Sequence, residues 1–311
     1  MIRIIAKLFA AAVALTVLFQ VAPVFAGNVN YISSTGSDSN PCTAAQPCAT
    51  FAFVLTPLGS GGQISCLDSP GPTESAVVIT QSLTIDCAGV YETSLPNTGG
   101  FQLNGNNQVV KVRNLTISGT AGGYPAIKVT GSGTLIIENC VFENFNASGV
   151  GPALDIEPTG AFNLVITNSR ISNNSAAGVL IKPNVGSVTA TFDGVTMVNN
   201  AGGLHTDTTN GVVRVDISNS TISYNADNGM AIVGGTGTNM VTVKNGVIAS
   251  NGQAGIEASG ANAAVLVNNA VLDSNTGGAV SAVSGGRILT YGNNSTIGLA
   301  GTGFTGTAPL N

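Results

Sequence analysis

Tryptophan is absent from this 311-residue chain, histidine occurs once, and aromatic residues make up only 5% of it. Charged residues account for 8%, where an ordinary globular domain carries about a quarter. With 10 Lys and Arg in total, the chain lacks the clustered cations that grip a phosphate backbone, which excludes nucleic acid as a partner. The five tyrosines, at 31, 91, 124, 224 and 291, form a thin platform for stacking sugar rings. Beyond residue 26 no stretch is long and apolar enough to span a bilayer.

What is present is glycine, 41 residues of it, with abundant Val, Ile, Thr, Asn and Ser. That mixture suits strands joined by many turns better than disorder. The chain opens with Arg3 and Lys7, an apolar run from Leu8 to Phe19, and small residues Val24 and Ala26. Residues 1–26 therefore form a secretory signal peptide, and the protein is expected to be secreted or periplasmic. Loss of Arg3 and Lys7 takes the formal net charge from −5 to −7. In an oxidising compartment Cys42 and Cys48 are expected to form a local bridge, and Cys66 and Cys87 to pair if their strands are neighbours. Cys140 is left over and is expected to be a small buried thiol in a strand.

Internal repetition sets the fold class. "ITNSRISNN" begins at 166, "FDGVTMVNN" at 192, "ISNSTISYN" at 217, "VKNGVIASN" at 243 and "VNNAVLDSN" at 267, with a weaker copy, "IENCVFENF", at 137. A glycine and a short third strand follow each strong copy, as in "GVLI", "GLHT", "GMAI", "GIEA" and "GAVS". Apolar and polar residues alternate within each copy, so each repeat is three short strands, one turn of a coil. One turn cannot bury its apolar face alone, but stacked turns can, with strands roughly 4.8 Å apart and like residues above like. Asn174, Asn200, Asn225, Asn251 and Asn275 fall at the second corner of the turn. A left-handed backbone is useful there, and stacked amides can bond along the column.

These repeats, the stretch "YISSTGSDSNPCTAAQPCATFAFVL" at 31–55 and "SLTIDC" at 82–87 resemble the secreted right-handed parallel β-helix proteins of the pectin-lyase-like superfamily. The expected architecture is a single all-β, right-handed parallel β-helix over residues 27–311, of nine to ten rungs. An N-terminal cap at 27–60 with a short helix in "PCATFAFVLTPLG", rungs over 61–297 and a C-terminal cap or tail at 298–311 complete it.

Register then places the lone histidine. In "GLHTD", 203–207, Leu204 and Thr206 point inward and His205 and Asp207 outward. The same outward positions one and two turns earlier hold Lys182, Asp155 and Glu157. These five residues are the candidate catalytic set: carboxylates and a histidine for acid and base work, with Lys182 to stabilise developing charge. Calcium on Asp155, Glu157 and Asp207 is the natural ion for an oxygen-rich site outside the cell; no other cofactor is implied. Charges on outward strand positions also stabilise neighbouring strands, as Glu157 and Lys182 would across one rung. The pectin-degrading glycosidases of this superfamily share paired aspartates, a Gly-His-Gly and an Arg-Ile-Lys, none of which occurs here. Its pectate lyases use an arginine beside calcium-binding aspartates, whereas Arg170 and Arg214 fall on the second and first strands, away from the cluster. Loops at 182–188 and 206–213 are short, which predicts a smooth rod. The expected role is a non-catalytic envelope or extracellular protein that binds carbohydrate or a surface partner. The alternative is a polysaccharide lyase, glycoside hydrolase or epimerase acting on a uronate-containing glycan.

Overall fold

The computed structural model describes residues 28–69, 76–88, 93–95, 100–119, 124–146, 151–297 and 303–308. The signal peptide expected at 1–26 and residues 298–302 and 309–311 of the expected C-terminal cap lie outside the described residues. Among the described residues the strands form three sheets, of twelve, nine and nine strands, and each strand pairs in parallel with its counterparts one turn away. Eight turns place one strand in every sheet, from Leu83–Asp86, Thr93–Leu95 and Phe101–Leu103 to Ala263–Asn268, Val271–Asp273 and Val280–Val283. Partial turns flank them at both ends, so the complete turns number eight where the sequence suggested nine to ten rungs.

Exact stacking of equivalent positions makes the core. Ile166, Phe192, Ile217, Val243 and Val267 lie beside one another in successive strands of the first sheet, each at most 2% exposed. Burying side chains of this size contributes about 1.5–3 kcal/mol each. Thr206 interrupts the apolar column of the third sheet, and the inward Asn239 satisfies it: its Oγ1 lies 3.1 Å from Asn239 Oδ1, while Asn239 Nδ2 donates to the Thr206 carbonyl.

The asparagines form the ladder expected of them. Asn174, Asn200, Asn225 and Asn251 each donate Nδ2 to Oδ1 of the asparagine one turn on, at 2.7, 3.2, 2.9 and 2.8 Å. Their backbone N–H groups bond the same oxygens, so each buried amide also holds the corner of the turn before it. The left-handed backbone expected of these residues falls one position earlier, on Asn173, Asn199, Tyr224, Ser250 and Ser274. The ladder asparagine must turn inward to be bonded on both sides, which its predecessor's positive φ brings about. Asn114, Asn139, Asn168, Asn219, Asn245 and Asn269 at the first corner all have positive φ, and side-chain bonds join Asn114 to Asn139 and Asn219 through Asn245 to Asn269.

The glycine before the third strand of the later turns is demanded by close approach. A Cβ on Gly203 would meet the Gly229 carbonyl and Ile222 Cγ2 at 2.4 Å, and one on Gly229 would meet the next turn's Gly255 carbonyl at 2.6 Å. At the N-terminal end, disulfides join Cys42 to Cys48 and Cys66 to Cys87, the latter between neighbouring strands. The helix in 47–59 is a single turn, Phe51–Val54, with Thr50 at its N-cap and Phe51 packed edge-on against Phe101. Cys140 is buried and free as expected, but it sits at the corner between strands Gly133–Glu138 and Val141–Glu143 rather than in a strand, and desolvation pushes its thiol up to about 11. Near the C-terminus Gly306–Thr307 adds a strand beside Arg287–Thr290, and Phe304 packs against the core.

Candidate functional site

The third sheet presents the lone histidine on strand Leu204–Asp207, with Leu204 and Thr206 buried and His205 and Asp207 facing outward. Along its outward column His205 is flanked by Leu180 and Ala231; beyond Leu180 come Asp155 and then Lys128. The five residues singled out in the sequence thus lie on or just after three adjacent strands, but four of them divide into two ionic groups and His205 joins neither.

In the first group Lys128 Nζ bonds Asp155 Oδ2 at 2.6 Å and Glu157 Oε2 at 3.0 Å. Asp155 is 7% exposed, and its Oδ1 is buried without a hydrogen-bond partner. Desolvation raises its carboxyl above the usual aspartate range, against the hydrogen bond from Lys128 and with the help of the Glu157 charge. Burial also works against the Lys128 ammonium, but hydrogen bonds and charge from Asp155 and Glu157 outweigh it and raise the lysine.

In the second group Lys182 Nζ lies 3.2 Å from Asp207 Oδ2, while Thr209 donates to Asp207 Oδ1 from both its N–H and its hydroxyl. Burial pushes Asp207 up, yet these hydrogen bonds and the Lys182 charge hold it below the usual range. The Glu157–Lys182 pair expected from the sequence is therefore replaced by two others, Glu157 with Lys128 and Lys182 with Asp207. Lys128 was missed because its turn, "AIKV", lacks the corner motif that marks the later copies.

His205 belongs to neither pair. Desolvation lowers its pKa, with Lys182 adding to that effect and Asp207 and Glu257 opposing it, so the imidazole is neutral at neutral pH. Among the described residues no three His, Cys, Asp or Glu side chains converge into a group able to hold a metal ion, and Asp155, Glu157 and Asp207 do not come together in that way. Arg170 and Arg214 lie on the second and first sheets, as their register implied.

Beside His205 the surface is not the smooth rod expected. A groove of 400 Å³ runs along the corner between the second and third strands of four successive turns, lined by His205, Ala201, Gly202, Asp227, Asn228 and Gln253 among others. Short loops at the other corner do leave that side low, but here room comes from the small residues Ala201 and Gly202. The corners are bonded turn to turn, Ala201 N to Ala176 O at 3.1 Å, Asp227 N to Ala201 O at 2.7 Å and Gln253 N to Asp227 O at 3.1 Å. Three such steps make the groove about 14 Å long.

No curated protein matches the chain. Among solved structures it is similar to the pectate lyase Pel9A, with a TM-score of 0.54 and 17% identity over 91% of this chain and 79% of the lyase. A rhamnogalacturonan lyase aligns with a TM-score of 0.45 at 16% identity, covering 85% of this chain and 75% of that one. The A-module of the mannuronan C-5 epimerase AlgE4 of Azotobacter vinelandii gives 0.42 at 13% identity, over 91% and 98%. At these identities the likeness is one of fold. The family model "Right handed beta helix region" matches residues 99–271, more than half of the sequence, and the stacked parallel turns agree with it throughout: the chain belongs to the right-handed β-helix family.

Proposed function

We propose that this is an exported, non-catalytic glycan-binding protein that holds a carbohydrate chain in the corner groove beside His205. The groove itself carries the reading: it is long, shallow in bulk and lined by amide, carboxylate and imidazole groups set on a rigid backbone, as an extended hydroxyl-rich ligand requires. Support comes from the fold shared with a pectate lyase and from two disulfides, which persist outside the cytoplasm, in the periplasm or beyond the cell. No helix among the described residues is long and apolar enough to cross a membrane. The non-catalytic reading rests on the ion pairing, in which Lys182, Asp207, Asp155 and Glu157 spend their charge on one another or on Lys128.

One observation favours a second reading, a lyase or epimerase acting on a uronate glycan: His205 is a neutral, partly desolvated base at the edge of a groove. Affinity electrophoresis in gels containing pectin, alginate or neutral and amino glycans, with parallel assay of unsaturated products and new reducing ends, separates the two. Retardation without products is expected, and Gly202→Tyr abolishes it by filling the groove. A Cβ on Gly202 has only the Asn228 carbonyl near it, at 3.6 Å, so the substitution is tolerated. Products that vanish in His205→Ala would establish the enzyme instead.

A further inference from the structure

The groove has one sign of charge. Among the described residues Asp227 is its only lining carboxylate, and no Lys or Arg lines it. A second carboxylate stands next to it: Glu257 is beside Ala231 in the third sheet, and Asn228 Nδ2 lies 3.5 Å from its Oε2. The nearest cation of the third-sheet cluster, Lys182, is held by Asp207 at 3.2 Å. Gln253 Nε2 donates to Asp227 Oδ1 at 3.2 Å, which orients the carboxylate and leaves Oδ2 to accept from a ligand. The whole chain is acidic, with a formal net charge of −5, so no distant field offsets these groups.

From this arrangement we infer that the groove takes an amine-bearing glycan of the glucosamine type, its ammonium set between Asp227 and Glu257 and its hydroxyls on Asn228 and Gln253. A uronate chain would bring carboxylates against these two with no cation to meet them, and is rejected. The Ala201 and Gly202 positions give the sugar ring its room; an aromatic platform is not needed where charge-assisted hydrogen bonds orient the ring. This inference rests on the glycan-binding reading of the same groove and names its ligand class.

Calorimetric titration of the full chain with the glucosamine tetrasaccharide, its fully N-acetylated counterpart, tetragalacturonate and tetralysine tests it. The amine tetrasaccharide is expected to bind, to weaken as salt is raised, and to lose about tenfold in affinity in Asp227→Asn and a similar factor in Glu257→Gln. Both side chains sit at the surface corner or on the outward strand face, and circular dichroism of each variant confirms the fold. Equal binding of the N-acetylated sugar, or tighter binding of tetragalacturonate, either one abolished by Gly202→Tyr, overturns the amine specificity while the glycan-binding reading stands. Tetralysine binding as tightly as the amino sugar and unaffected by Gly202→Tyr would reduce the effect to nonspecific cation attraction and overturn the inference. No heat with any of the three sugars overturns both readings.

Discussion

The buried asparagine column and the outward column that carries His205 climb the same coil, one residue per turn, and treat that repetition in opposite ways. From Asn174 to Asn275 the inner column places the same amide in every turn, and each passes its hydrogen bonds to the next. The outward column changes at each step, from Lys128 through Asp155, Leu180, His205 and Ala231 to Glu257. A buried amide has to be satisfied by its neighbour, so the column tolerates only itself. An outward residue meets water or a ligand and is free to differ. In a solenoid, therefore, sameness marks what holds the rod together and departure from sameness marks where chemistry can be placed.

The comparison is broken most severely by Asn225→Leu. Its Oδ1 accepts from Asn200 N and Nδ2, and its Nδ2 donates to the Met197 carbonyl and to Asn251, so the variant strands buried groups on both neighbouring turns. Denaturant titration is expected to show a loss of about 2–4 kcal/mol. Lys128→Met removes the cation that meets Asp155, the most buried residue of the outward column, and is expected to cost about 1–2 kcal/mol at neutral pH, the part-exposed ammonium being partly screened. Because Asp155 titrates above its ordinary 3.8 in the folded chain, its contribution falls as pH rises from that value through the raised one. Removing the lysine widens this window, so the penalty should shrink in acid, where a protonated Asp155 has no need of a cation.

Asp207→Asn is expected to be milder, under about 1 kcal/mol by thermal melting, since Lys182 is exposed and Thr209 can still donate to the amide oxygen. The smallest expected effect is that of His205→Gln. Folding lowers the imidazole from its ordinary 6.5, so the wild type loses stability as pH falls from that value through the lowered one. The variant should lose that slope below about pH 6.5 and change little above it, as melting curves across the range would reveal. A variant curve parallel to the wild type would place the imidazole in free solvent.

Much of the fold could be read from the repeats, because one turn of the coil is nearly copied in the next. The inward positions of "GLHTD" and the asparagine ladder follow from that copying, whereas the two disulfides were legible from cysteine spacing in an oxidising compartment. The left-handed residue was misplaced by one because the repeat shows two polar residues at the corner, as in Asn173 and Asn174, and only packing decides which turns inward. The site was less legible for the complementary reason. Lys128 sits on a turn without the motif, and whether Lys182 reaches back to Glu157 or forward to Asp207 depends on side-chain reach, which a register of backbones does not contain. The groove is built from alanine and glycine at a corner, residues that announce nothing in a sequence until stacking brings four of them into line.

The ladder also bears on how such a molecule can change over generations. Since every asparagine in the ladder is met only by another asparagine and by a backbone carbonyl of the turn before, which any residue supplies, a duplicated or deleted turn of about 25 residues rejoins the column without a mismatch, and the rod lengthens or shortens in steps of about 4.8 Å. A gene encoding it can therefore be spliced like a measuring tape, with binding surface added or removed one notch at a time.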